Sequence, residues 1–172
     1  MSPRWQPDDS ILDLNRKGEV KAARRAKDVL RKHGITVGDR ILTSRDRGMA
    51  AVSAELKQTG LPAGVQHWQL PVALGSADEV VLFISRMKPG AVVPEHAHKV
   101  VVFRIVMSGT LRYGQRTLKA GDWMYVPPGQ SYAVEAGPEG CIILYGHCPP
   151  IPWPFPWPFA ERKSAKRRSK SG

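Results

Sequence analysis

PGAVVPEHAHKVVVFRIVMSG, residues 89–109, decides the fold, and GDWMYVPPGQSYAV, residues 121–134, supports it. Pro89-Gly90 marks a turn, and the run from Lys99 to Met107 is apolar and β-branched, which favours strand. His96 and His98 stand two apart between them. Residues two apart in extended chain share a face, so both imidazoles can reach one ion. Imidazole suits zinc, iron, copper and nickel. Outward from this stretch, 65–74, 79–87, 99–107, 110–118, 122–128, 131–136 and 141–147 are further β-type runs, spaced by about ten residues. Lys88-Pro89-Gly90, Ser108-Gly109, Ala120-Gly121-Asp122 and Pro127-Pro128-Gly129 supply turns. Short strands with regular turn signals predict a mainly β sandwich or small barrel.

The flanks differ. Residues 17–33 are rich in Ala, Lys and Arg and predict a helix stopped by Gly34, with a thin apolar stripe of Val20, Ala23, Ala26, Val29 and Leu30. Residues 48–58 predict a second short helix before Gly60; the linker between the two is too long for a helix-turn-helix. PPIPWPFPWPF, 149–159, must be extended because proline recurs at every second position. It reads as an arm lying on the barrel or on a partner subunit, or as an interfacial anchor. The expected organisation is a basic, partly helical extension (1–60), a barrel (61–148), the Pro/aromatic arm (149–160) and a disordered basic tail (161–172).

The formal net charge of +11 is unevenly placed: +5 in residues 1–60, +1 in 61–160 and +5 in 161–172. A near-neutral body argues against a nucleic-acid-binding domain. Nucleic acid or an anionic membrane would meet the basic flanks alone. No apolar run is long enough to span a bilayer, and residues 1–10 lack a signal-peptide core. Two cysteines, Cys141 and Cys148, make no disulfide framework. The expected compartment is the cytoplasm, with Cys141 in the core.

Residues 80–146 resemble the cupin superfamily, in particular its small bacterial single-barrel members. The first cupin motif matches Gly90, His96-Ala97-His98 and Gly109; the second matches Gly121, Pro127 and Gly129. Residues 121–134, followed by 139–147, are also similar to metal-dependent cupins of the anti-sigma-factor and aromatic-ketone dioxygenase kind. The resemblance implies a double-stranded β-helix, or jelly-roll, barrel and frequent dimers. It also implies a metal held by three histidines and a glutamate. Here Val102 stands where the glutamate belongs and Tyr132 where the third histidine belongs. The resemblance carries over His96 and His98 alone, for Fe, Zn, Ni or Mn. His147 and His67 are further ligand candidates, in that order, whereas Glu95 should face away from His96.

Arg104 shares strand parity with His96, His98 and Val102, so it should enter the lumen. A charge there needs a partner: Glu135, Asp122 or an anionic substrate. Three functions follow. One is a metal-dependent enzyme of dioxygenase, isomerase or lyase type, in which Tyr132 positions a small, anionic substrate and Arg104 neutralises it. Another is a non-catalytic ligand-binding or sensory cupin whose flanks meet a partner. The third is a metal-free isomerase or epimerase with a histidine base and Tyr132 as acid.

Overall fold

A computed structural model of the chain describes residues 5–13, 20–36, 41–71 and 81–148. The arm and tail beyond Cys148 lie outside them. A 3₁₀-helix, Asp9–Leu12, is followed by α1, Lys21–Lys32, and α2, Met49–Glu55. Seven strands follow: β1 Val65–Gln69, β2 Val81–Met87, β3 Val92–His96, β4 Val101–Tyr113, β5 Arg116–Lys119, β6 Trp123–Val126 and β7 Tyr132–Cys148. All pair antiparallel, in the order β1-β2-β7-β4-β5, with β3 added to β7 and β6 to β4. This is the expected mainly β jelly-roll barrel.

The two long strands shape the barrel. The first half of β4 lies between β6 and the second half of β7; its second half lies between β5 and the first half of β7. Both strands therefore run through two sheets and bend between them. The inward set on β4 is Val102, Arg104 and Val106, then Leu111; on β7 it is Tyr132, Val134 and Ala136, then Cys141, Ile143, Tyr145 and His147. Parity changes in both strands across the same place, where β4 has register shifts at Val106/Ser108 and Gly109/Leu111. Ser108-Gly109 is thus a bulge inside one continuous strand rather than a turn between two. The other three predicted turns do form: Ala91, Asp122 and Gln130 donate their N–H groups to the carbonyls of Lys88, Lys119 and Pro127.

The inner faces carry the core, with Phe83, Val102, Leu111 and Ile143 fully buried. Phe103, Met107, Trp123 and Tyr125 stand exposed on the outside. Helix α1 falls within the predicted span and buries Ala22, Ala23, Ala26 and Leu30. It ends in a Schellman motif, Gly34 N–H to Arg31 O and Ile35 N–H to Leu30 O, with Gly34 left-handed. Its first turn packs into the barrel core and its last into a small cluster of Leu30, Ile35, Met49, Val52 and Leu56. Gln69 Nε2 donates to Ala22 O at 2.6 Å, tying the helix to β1. No helix among the described residues is long and apolar enough to cross a membrane.

Candidate functional site

Between the two sheets lies a cavity of ≈ 220 Å³. A 150 Å³ cavity already takes benzene, so a small organic molecule fits. His67, His96, His98, Arg104, Tyr145 and His147 line it, and Trp5 and Asp9 of the N-terminal segment close one side.

His96 ends β3, while His98 sits just past it in a loop rather than in the strand. Both rings still turn inward, 2% and 4% exposed, with centroids 5.0 Å apart. His96 Nδ1–H donates to Pro94 O at 2.7 Å, which leaves Nε2 with the lone pair. Burial, against the Pro94 carbonyl, lowers its pKa to about 4. His98 Nδ1 lies 2.8 Å from Asp9 Oδ1, and Lys99 N–H donates to Asp9 Oδ2 at 2.9 Å. Burial would push the Asp9 carboxyl up, but the hydrogen bonds from His98 and Lys99 and the histidine charges outweigh it and hold it below the usual range.

His147, on β7, is buried with Nδ1 unpartnered among the described residues. Burial first, then the neighbouring positive groups, hold its pKa well below the ordinary value. Asp9, His98 and His147 each offer one ligand atom, all within 4.8 Å of one another. His67 stacks on Phe83, bonds Ser85 Oγ at 2.6 Å and has its pKa lowered to about 3, by burial and then by Arg104. Glu95 is exposed, on the side away from His96.

Arg104 points inward because β4 stays regular from Val101 to Val106 and bulges only afterwards. Its guanidinium is buried, donates from Nη2 to Tyr132 OH at 2.5 Å and stacks over the Tyr145 ring at 4.5 Å. Nε has no partner. Neither carboxylate partner considered from the sequence reaches it. Glu135 pairs across the strands with Arg112, and Asp122 accepts Lys119 N–H at 2.8 Å. Glu135 faces the outer side of β7, opposite in parity to the inward Val134 and Ala136.

Tyr132 is buried, and burial, against the Arg104 charge and hydrogen bond, raises its pKa, so it remains a phenol. It does not line the cavity; it supports Arg104 and packs against His96 at 4.4 Å. The three-histidine, one-glutamate metal set therefore does not fit: Val102 has no donor atom, and the Tyr132 oxygen is engaged by a cation. The structure brings His96, His98 and Arg104 to one cavity, keeps Tyr132 behind Arg104, and adds Asp9. No sequence signal marked Asp9, because it joins His98 across 89 positions.

Such a barrel, with a His-x-His pair and glycine turns around an internal cavity, defines a cupin. The match to the ChrR Cupin-like domain model over residues 47–150 places the chain in that family, to which it belongs. Among solved structures it resembles a chain in the complex of Rhodobacter sphaeroides SigE with the anti-sigma ChrR: 19% identity, TM-score 0.46, covering 74% of this chain and 76% of that one. It resembles KdgF from Halomonas sp. at 20% identity and TM-score 0.44, covering 54% of this chain and 84% of that one. Bacillus subtilis oxalate decarboxylase OxdC gives 20% and 0.46, covering 54% of this chain and 27% of that one. No curated protein matches the sequence significantly.

Proposed function

We propose that this cupin holds a small carboxylate in its barrel, with Arg104 as the anchor. One observation carries the proposal: among the described residues, no carboxylate pairs with the buried guanidinium and its Nε is unpartnered. An unpaired buried charge is costly, and an anionic ligand supplies the missing counter-ion. The guanidinium fork matches a carboxylate in shape. Tyr132 fixes the fork, and the Tyr145 ring lies against its face.

In a catalytic reading of the same site, of isomerase or lyase type, His96 would present the Nε2 lone pair of a neutral imidazole to the bound acid. Its pKa of about 4 makes it a weak base at pH 7, so carboxylate binding, and not proton transfer, carries the proposal. Without turnover, the protein is a ligand-binding or sensory cupin.

The test is isothermal titration with acetate, pyruvate, malonate, succinate and benzoate beside their amides. At least one acid should bind, its amide should not, and Arg104→Ala should weaken binding about 10- to 100-fold, as expected for a hydrogen bond to a charged group. Equal binding of acid and amide, or no effect of Arg104→Ala, would sink the proposal. Carbon-13 NMR of the bound acid then separates binding from turnover.

A further inference from the structure

We propose that Asp9, His98 and His147 form a divalent transition-metal site whose carboxylate ligand is carried by the N-terminal segment, so that the ion pins this segment across the barrel mouth. The site is distinct from the ligand set of the two cupin motifs, which would use His96 with His98. It does not depend on the carboxylate reading.

Three observations carry it. The ligand atoms lie within 4.8 Å of one another. Closing from there to the edge of a tetrahedral site, about 3.3 Å for bonds of 2.0–2.1 Å, needs only side-chain adjustment. His147 is 4% exposed and its Nδ1 has no partner among the described residues, so the third member of the cluster carries a buried, unsatisfied nitrogen. The Asp9 carboxylate is already fixed against the His98 ring by its 2.8 Å contact and the Lys99 N–H.

Two imidazoles and a carboxylate are the donor set of open-position zinc sites, and the fourth position would face the cavity. Arg104 lies close by and adds positive charge, so that position suits water or an anion. Among the described residues, the segment is also tied to the rest of the chain by Trp5, which donates to Gly60 O at 2.8 Å and sets its ring edge-on to His96 at 5.2 Å, and by Trp5, Ile11 and Leu12 packing against the core. A bond from the ion to Asp9 would add a further tie at the centre of the segment.

The full chain, stripped with chelator, is titrated with zinc against a competing chelator and with cobalt(II) by visible absorption. Near one equivalent should bind, with the intense cobalt bands of a four-coordinate site. Asp9→Ala and His147→Ala should each weaken binding by more than the roughly 10- to 100-fold that an outer-shell partner contributes. His96→Gln should leave metal affinity unchanged, and Arg104→Ala should leave the ion in place even where it weakens carboxylate binding. Hydrogen exchange of residues 5–13 and of the Lys99 amide should slow on adding zinc, and not in Asp9→Ala. Circular dichroism establishes that each variant is folded; Asp9→Asn and His147→Gln replace any that is not. Absence of binding overturns the proposal. So does binding that needs His96 but not Asp9 and His147, or an N-terminal segment whose exchange ignores the metal.

Discussion

Arg104 is stabilised by a phenol oxygen and a ring face rather than by an opposite charge. Such contacts recover only part of the cost of burying a guanidinium. Replacing it together with its acceptor, as Arg104→Met/Tyr132→Phe, removes the charge and leaves no orphan hydroxyl. In urea denaturation this double variant should match the wild type or exceed it by up to about 4 kcal/mol. Clear destabilisation would mean that the phenol and ring contacts outweigh the cost of burial, and the need for an anion would disappear. Val102 and Tyr132 were legible as departures from the cupin motifs, and strand parity was enough to aim Arg104. Its neighbours were not legible, because they come from β7, reached only through the long-range register Arg104↔Tyr145.

Strands β4 and β7 bend together where Gly109 meets Gly140. Both have positive φ, +70° and +72°, which an L side chain resists. A Cβ on Gly109 would run into the Gly140 carbonyl oxygen and stand 2.9 Å from its carbon and 3.0 Å from Cys141 Cα. This explains the closing glycine of the first motif: it is the hinge of the strand, not a turn. Gly109→Ala should cost more than about 3 kcal/mol, since backbone collision adds to the 1–3 kcal/mol of conformational strain. Gly114→Ala shares the positive φ but meets nothing within 4 Å, so it should lose about 1–2 kcal/mol. Equal losses in chemical denaturation would refute the hinge. A local reading of Ser108-Gly109 as a turn fails because turn and bulge use the same residue; only the partner strand decides between them.

At the scale of the whole molecule, the barrel interior holds His67, His96 and His147 against their tendency to protonate, with burial the main cause. His67 has a folded pKa of about 3 against an ordinary 6.5, with burial the main cause. The unfolded chain therefore takes up a proton first as pH falls. Its contribution to stability is complete above about pH 6.5 and is lost progressively between there and pH 3, by about 1.4 kcal/mol per pH unit. Urea denaturation of metal-free protein at pH 7, 6 and 5 should show this decline. His67→Gln, which keeps a polar partner for Ser85, should reduce the slope by one proton. An identical slope in wild type and variant would show that His67 is protonated in the fold.

The sequence alone determined the β-rich character of residues 65–147, three of the turns, both helices and the inward parity of Arg104. These depend on neighbours two to four positions apart, where φ/ψ preference and side-chain period act directly. It did not determine the strand bounds: 131–136 and 141–147 are one strand, β7, and 110–118 is shared between β4 and β5. The tertiary structure alone decided that Ser108-Gly109 bends a strand, that Tyr132 supports Arg104 from outside the cavity, and that Asp9 completes a cluster with His98 and His147. Each of those rests on chain segments brought together from far apart, and no local periodicity carries that information.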